Sequence, residues 1–414
     1  MPASPSTARA INDRLALRLL QQEGPLTAGQ LKQLTGLSRP TVADLVERLT
    51  AAGLIGVVGE SGEQRRGPNA RLYGIVADRA QLAALDVRTE GVSVVVSDLL
   101  GRELARASVP IADDTGTGPA VEQAVTLVER AAKEAGAERL HTVGVGAPGL
   151  IDPATGELRD SSGLPEWHRR LVAALQERLP ARVIVENETN LAALAEQRDG
   201  VARDRDTFVL LWLGHGTGAA VVLDGRLRRG ASGGTGEIGF LPVPGTSTLP
   251  SATDCEGGFH SLAGSAAIAE LASGYGLVAA PASSGEPEAA ALVRQAVAAL
   301  SSPSPSPSPS PSASSSAASS SGADRFLDAL ADRLAIGAAS VVAVLDPGCV
   351  VLGGEVGQAG GEVLAARVGE RLVRMSPLPV EVRASTLGGG AVLRGALLTA
   401  RESAQDDLFA PRPR

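Results

Sequence analysis

Residues 185 to 190, Val-Glu-Asn-Glu-Thr-Asn, put two carboxylates and two amides on one short stretch, straight after the apolar run Val183-Ile184-Val185. A carboxylate beside a reacting hydroxyl can take its proton, and the same group can hold a small molecule by hydrogen bonds. Glu188 is therefore a catalytic base, a ligand for a bound molecule, or part of a polar turn. Further along, Gly214, Gly216 and Gly218 are spaced by single residues, and Glu237 follows Gly236. Such glycines let a turn bring its backbone close to a ligand, or simply allow tight packing. Asn187, Glu188 and Glu237 together offer one amide and two carboxylates, groups that take hydrogen bonds from a ligand's hydroxyls.

A different chemistry is set out near the start of the chain. Ser38, Arg39, Thr41, Asp44 and Arg48 carry short or basic side chains suited to phosphates and base edges. Arg65 and Arg66 stand next to Gly67-Pro68, a basic tip that suits a minor groove.

The elements needed to position these groups can be read from periodicity. Ile11, Leu15 and Leu19, with Leu20 beside them, predict one buried face of a first helix that Gly24-Pro25 stops. Thr27 caps a second short helix with apolar positions Leu31 and Leu34, and Gly36 supplies a turn. Ser38 caps a third helix, Pro40 sits in its first turn, and Val42, Leu45 and Leu49 form its buried stripe. Three helices around a glycine turn have the spacing of a helix-turn-helix. Leu54–Val58 and Arg71–Val76 then read as strands of a hairpin, completing a winged helix over residues 1–78. The alternative is a helical oligomerisation domain with an ordinary charged surface.

From Leu82 the pattern becomes α/β. Strands over Leu82–Val87, Val92–Asp98 and Leu104–Val109 precede a helix over Pro119–Ala135, the strand Thr142–Ala147, a helix near Trp167–Arg178 and the strand Val183–Val185. A second series resembles the first: Phe208–Leu213, Ala219–Leu223, Leu227–Arg229, helices, and Cys349–Leu352. The repetition predicts two similar lobes with a cleft between them: residues 79–187 completed by about 391–405, and residues 188–390. Residues 301–322, rich in Pro and Ser, cannot bury a core and read as a disordered loop joining helices over Ala289–Leu300 and Arg325–Leu345.

Composition narrows the function classes. The 414 residues are enough for at least two units, and 44% hydrophobic with 20% charged residues is ordinary for a soluble protein. No apolar stretch of about 18 residues occurs, and Met1-Pro2-Ala3-Ser4 lacks a charged start followed by an apolar run, so a cytoplasmic protein with no membrane partner is expected. Cys255 and Cys349 are the only cysteines, too few for a disulfide framework or a four-cysteine metal site. Residues 1–80 hold ten Arg or Lys against seven Asp or Glu, so a head of +3 is joined to a body carrying −11 of the net −8, and any polyanion is met by the head.

Four stretches, 143–158 (VGVGAPGLIDPATGEL), 183–196 (VIVENETNLAALAE), 211–239 (LWLGHGTGAAVVLDGRLRRGASGGTGEIG) and 344–354 (VLDPGCVVLGG), in this order resemble the ROK family of sugar kinases and sugar-responsive transcriptional repressors. The resemblance covers roughly residues 80–400 outside the Pro/Ser tract. It implies an actin-like (ribonuclease H-like), two-lobed ATPase-type fold. A winged helix-turn-helix in front is the arrangement of the family's repressors. Family kinases use the matching Asn187, the acid at 188 and Glu237 to hold the sugar, and that acid also removes the proton from the attacking hydroxyl.

This chain departs from the kinase pattern in three places. The first phosphate loop, Asp-x-Gly-Gly-Thr in the kinases, corresponds to Asp86-Val87-Arg88-Thr89-Glu90, with both glycines lost; side chains at Val87 and Arg88 are expected to obstruct a triphosphate, and Glu90 adds negative charge. The base position carries Glu188 in place of Asp, and its extra methylene moves the carboxylate by roughly an ångström, a misplacement that can cost ~10²-fold in rate. The family's zinc site needs a His after Gly-Glu-Ile-Gly and a Cys-x-Cys-Gly-x-x-Gly-Cys run, whereas position 240 is Phe and residues 254–262 (DCEGGFHSL) keep one cysteine. Ser261 takes the place of a further sugar-contacting Glu, beside His260, which is either an effector contact or an ordinary loop histidine.

The resulting expectation is a DNA-binding regulator, a repressor, without ATP, zinc or other cofactor. It would bind double-stranded operator DNA through Ser38, Arg39, Thr41, Asp44, Arg48, Arg65 and Arg66, and a sugar or sugar-phosphate effector through Gly149, Asn187, Glu188, Glu237 and His260, as a homodimer or higher oligomer. Two alternatives stand beside it: a sugar kinase with Glu188 as base and an appended DNA-binding domain, and a ligand-independent regulator whose body is a dimerisation scaffold.

Overall fold

The computed structural model describes residues 5–61, 70–112, 114–159, 164–251, 256–279, 286–301 and 311–410. The chain opens with three helices, α1 (Pro5–Gln22), α2 (Ala28–Thr35) and α3 (Arg39–Ala51), and a small sheet of β1 (Leu26–Thr27), β2 (Ile55–Ser61) and β3 (Ala70–Ile75) in the order β1-β3-β2. Thr27 closes a reciprocal cap on α2: its Oγ1 accepts from the Gln30 N–H at 3.2 Å, while the Gln30 carboxamide accepts from the Thr27 N–H at 2.9 Å. Gly36 ends α2 in the left-handed region at φ 70°, and Ser38 caps α3.

The packing of the head corrects two expectations. On α1 the buried residues are Ala16, Leu17 and Leu20, whereas Ile11 and Leu15 are exposed. In so Leu- and Ala-rich a helix several stripes satisfy a period of 3.6, and the one facing α2, α3 and the body wins because it alone has partners. Leu34 of α2 is also exposed, since the short helix reaches the core only through Leu31.

The body holds two five-stranded sheets of identical order. The first contains β4 (Gln81–Arg88), β5 (Gly91–Asp98), β6 (Glu103–Pro110), β7 (Leu140–Ala147) and β8 (Arg182–Asn187), ordered β6-β5-β4-β7-β8. The second contains β9 (Phe208–Leu213), β10 (Thr217–Leu223), β11 (Arg226–Arg228), β12 (Cys349–Gly353) and β13 (Glu381–Ala384), ordered β11-β10-β9-β12-β13. In each sheet three antiparallel strands are continued by two parallel ones. The parallel steps need crossovers, which helices provide. In the first sheet these are α4 (Thr117–Glu134) and α5 (Trp167–Arg178). The second adds α7 (His260–Ala263), α8 (Ser265–Gly274), α9 (Glu288–Ser301), α10 (Pro311–Leu345) and α11 (Gly354–Met375).

Two helices lie between the inner faces of both sheets: α6 (Glu188–Asp199) and α12 (Ala391–Leu408). They share one core with the sheets, in which Ala84, Leu191, Leu210, Val351 and Val392 meet. The head joins the body through a second continuous core, where Leu17 and Leu20 meet Leu82, Leu99, Ala404 and Phe409. Of the loop expected at 301–322, Ser301 ends α9 and residues 311–322 belong to α10; residues 302–310 lie outside the described residues. No described helix is long and apolar enough to cross a membrane.

Candidate functional site

A cleft of about 470 Å³ opens between the two sheets. It is built where strands end and helices begin. β8 stops at Asn187, whose side chain caps α6: Oδ1 accepts from the N–H groups of Thr189 at 2.9 Å and Asn190 at 3.3 Å. Its Nδ2 donates to the Gly149 carbonyl at 3.0 Å. Gly149 is held at φ 101°, a conformation that L side chains rarely adopt. The amide of Asn187 thus serves mainly to fix the end of β8 against the loop after β7, leaving one N–H for a ligand.

Glu188 is the first residue of α6 and faces the cleft. Its carboxyl is pushed up to about 8, chiefly by burial and then by the negative charges of Asp86, Glu355 and Glu90; the Arg88 cation pulls the other way. Glu237 lines the opposite wall and is raised by burial alone. It is placed by Gly236, which sits at φ 93° with the Ala219 carbonyl so close that a Cβ has no room.

The floor is formed by a polar group that periodicity did not reveal. Along β4, Val87 turns into the core of the first sheet, while Asp86 and Arg88 turn toward the cleft side. Of the two side chains expected to obstruct a triphosphate, Arg88 alone therefore reaches the cleft, which corrects the expectation for Val87. Arg88 Nε donates to Asp86 Oδ2 at 3.0 Å, and its Nη1 pairs with Glu355 at the start of α11, on the second sheet. Burial alone would disfavour the Arg88 cation, but Asp86, Glu355 and Glu188 more than offset this. Gly214 leaves the space that Glu355 needs: a Cβ there would stand 2.7 Å from Glu355 Oε2. Packing thus accounts for Gly214. His168, buried and pushed down to about 4 by that burial, meets the Arg88 carbonyl at 3.3 Å.

Neither group that the kinase pattern would hold fits these residues. A triphosphate would have to displace the Arg88 guanidinium and approach Glu90, Glu188 and Glu355. For zinc, Phe240 stands half exposed where an imidazole would be needed, and Cys255 lies outside the described residues.

The cleft brings together Gly149, Asn187, Glu188 and Glu237. It does not bring in His260, which packs behind the glycine turn about 3.8 Å from a Cβ at Gly216 and is held below its usual value by burial. Cleft residues missed from sequence include Glu355, Thr217, Trp212 and His215. Glu355 directly follows the glycine pair of the fourth motif, and that position was the available signal. Thr217 Oγ1 is buried and has no hydrogen-bond partner among the described residues. Glu186, the neighbouring acid, is structural: it accepts from the Asn187 N–H at 3.0 Å and from Asn190 Nδ2 at 2.9 Å, and pairs with Arg229 at 2.6 Å.

In the head, Ser38, Arg39 and Thr41 gather at the start of α3, with Ser38 Oγ 2.7 Å from Thr41 Oγ1. Arg48 is half buried and committed: it bonds Asp13 of α1 at 2.6 Å and pairs with Asp44. Arg65 and Arg66 lie outside the described residues.

A MarR family model matches residues 11–67, and the ROK family model matches residues 82–403. The chain is 27% identical over 243 residues to the DNA-binding transcriptional dual regulator NagC of Escherichia coli K12, an alignment covering 57% of this chain and 58% of NagC, so it spans less than two thirds of that relative. Among solved structures, a ROK family transcriptional regulator described as a homologue of the E. coli MLC protein shares the fold with a TM-score of 0.73 at 20% identity, over 97% of this chain and 98% of that one. The ROK hexokinase of Thermus thermophilus gives a TM-score of 0.59 at 29% identity, over 79% of this chain and all but 1% of its own (99%). The paired sheets, the cleft between them and a match running through most of the body lead to one conclusion: the chain belongs to the ROK family.

Proposed function

We propose that this protein is a DNA-binding transcriptional regulator, a repressor, whose winged head reads operator DNA and whose cleft binds a sugar or sugar derivative as effector. The observation that carries this reading is the Arg88 to Glu355 ion pair on the cleft floor, beside Glu188 and Glu237, whose side chains make no hydrogen bond to the protein among the described residues. The turn that a kinase opens to phosphates here carries a guanidinium tied to the other sheet. With Glu90, Glu237 and Glu355 against one arginine, even while Glu188 keeps its proton, the cleft favours an unphosphorylated ligand. The resemblance to NagC supports the role of the head. The protein works in the cytoplasm as a homodimer that addresses two half-sites about one or more helical turns apart. Effector binding changes DNA affinity only to the extent that it prefers one arrangement of the lobes.

Fluorescence anisotropy with DNA from upstream of its own or neighbouring genes should show salt-sensitive, sequence-selective binding that one sugar of a hexose and amino-sugar panel alters. Absence of any sequence preference would end this reading. The kinase reading retains Asn187, an acid at 188 and Glu237 in one cleft, and 29% identity to a ROK hexokinase. ATP-dependent phosphorylation of a panel sugar, abolished by Glu188→Gln, would establish it in place of ours. A sugar-induced thermal shift that Glu237→Ala removes would dismiss the ligand-independent scaffold.

A further inference from the structure

A second pocket, of about 260 Å³, lies at the junction of head and body, between α1 and the paired helices α6 and α12. Arg14 and Arg18 enter from α1, Arg198 from the end of α6 and Arg401 from α12, with Glu402 and Asp406 as the carboxylates nearby. Arg14 is paired with Asp406, and the adjacent Arg394 with Asp199. Arg18, Arg198 and Arg401 form no ion pair among the described residues, unlike Arg367, Arg371 and Arg383 elsewhere in the body. Arg401 donates only to the Leu100 carbonyl, at 3.2 Å, and is held below its usual value by burial and by neighbouring Arg198 and Arg394. Arg401 is thus partly dehydrated and crowded by other guanidinium groups, and an anion that accepts from it and its neighbours removes that cost. Arginine forks suit phosphate in particular, because two N–H groups match two phosphate oxygens.

We propose that this junction pocket is a regulatory site for a phosphate dianion, free or carried as the ester of a small metabolite, held by Arg18, Arg198 and Arg401. Its position gives the site a role. α6 begins at Glu188 in the effector cleft and ends beside Arg198, so one helix about 17 Å long joins the two pockets. α12 cannot slide independently, because Gly395 lies against the Leu191 carbonyl of α6 with no room for a Cβ. An anion bound between Arg18 and Arg198 ties the first helix of the head to that helix pair. It therefore biases the angle between head and body, and with it operator affinity.

Isothermal titration of the full chain with inorganic phosphate and, separately, with a hexose phosphate tests this, with chloride holding ionic strength constant. Saturable binding is expected, at least about tenfold weaker in Arg18→Gln/Arg198→Gln, since each lost charge-assisted hydrogen bond costs about that factor. Arg198→Lys, which keeps charge but not the fork, should fall between them. Both arginines are exposed and unpaired, so the double variant should keep the wild-type Tm. The tighter of the two probes identifies the source of the phosphate. Equal binding of both probes by wild type and double variant, or no saturable binding of either to the wild type, overturns the proposal.

Discussion

Glu188 shows how one side chain changes role with its surroundings. A carboxyl pushed up to about 8 is mostly protonated at neutral pH, so it is able to donate a hydrogen bond and is poorly suited to take a proton. Its raised value also makes stability depend on pH. The folded state keeps a proton that the unfolded chain loses near 4.5, so this contribution is complete below that pH and is lost as pH rises through about 8. Glu188→Gln should therefore match the wild type near pH 4.5 and exceed it by about 1–2 kcal/mol around pH 8.5, after allowance for solvent screening. Urea unfolding at the two pH values measures this, and parallel pH profiles would show that Glu188 titrates normally. Asn187, Glu188 and Glu237 could be read from the sequence, because they stand in distinctive motifs, whereas Glu355 was not. The protonation of Glu188 could not, since it depends on burial and on Asp86, Glu90 and Glu355, brought in from other elements.

Among the elements, α3 shows why exposure on a helical wheel does not establish contact with DNA. Arg39 is exposed at its first turn, whereas Arg48 is the tie between α3 and α1 through Asp13. The two should fail differently. Arg39→Ala should weaken operator binding and reduce the slope of log affinity against log salt by about one, the signature of one lost phosphate contact. Arg48→Ala should leave that slope unchanged and lower the stability of the head by about 1 kcal/mol, the scale of a part-exposed pair. Anisotropy titrations over a range of salt separate the cases; a reduced slope for Arg48→Ala would restore it to the DNA surface. Caps and strands were plain in the sequence because they depend on neighbours within four residues, as at Thr27 and Ser38. The buried face of α1 was not, because it is chosen by what packs on it.

For the whole molecule, ion pairs join one sheet's lobe to the other, among them Arg88 with Glu355 on the cleft floor and Glu186 with Arg229. An effector that enters between the lobes must coexist with these ties or break them. Glu355→Gln removes one without altering size. It should reduce stability by about 1 kcal/mol, the low value reflecting partial exposure of both groups. It should also increase the radius of gyration measured by small-angle scattering, as the lobes separate. An unchanged radius would mean that the shared core around α6 and α12 sets the lobe angle and the ion pair is secondary.

The sequence alone determined the order of elements, the doubled α/β plan, the winged head and the family, because these rest on local periodicity and on motifs read in line. It also set Arg88 and Thr89 where the kinase pattern expects two glycines, with Val87 just before them. Only the tertiary structure decided what fills their place. Val87 joins the core, Arg88 reaches a carboxylate 267 residues away on the other sheet, and four arginines from three helices meet at the junction of head and body. Charges interact through space at distances that chain separation does not limit, so pairings of this kind leave no trace in local pattern.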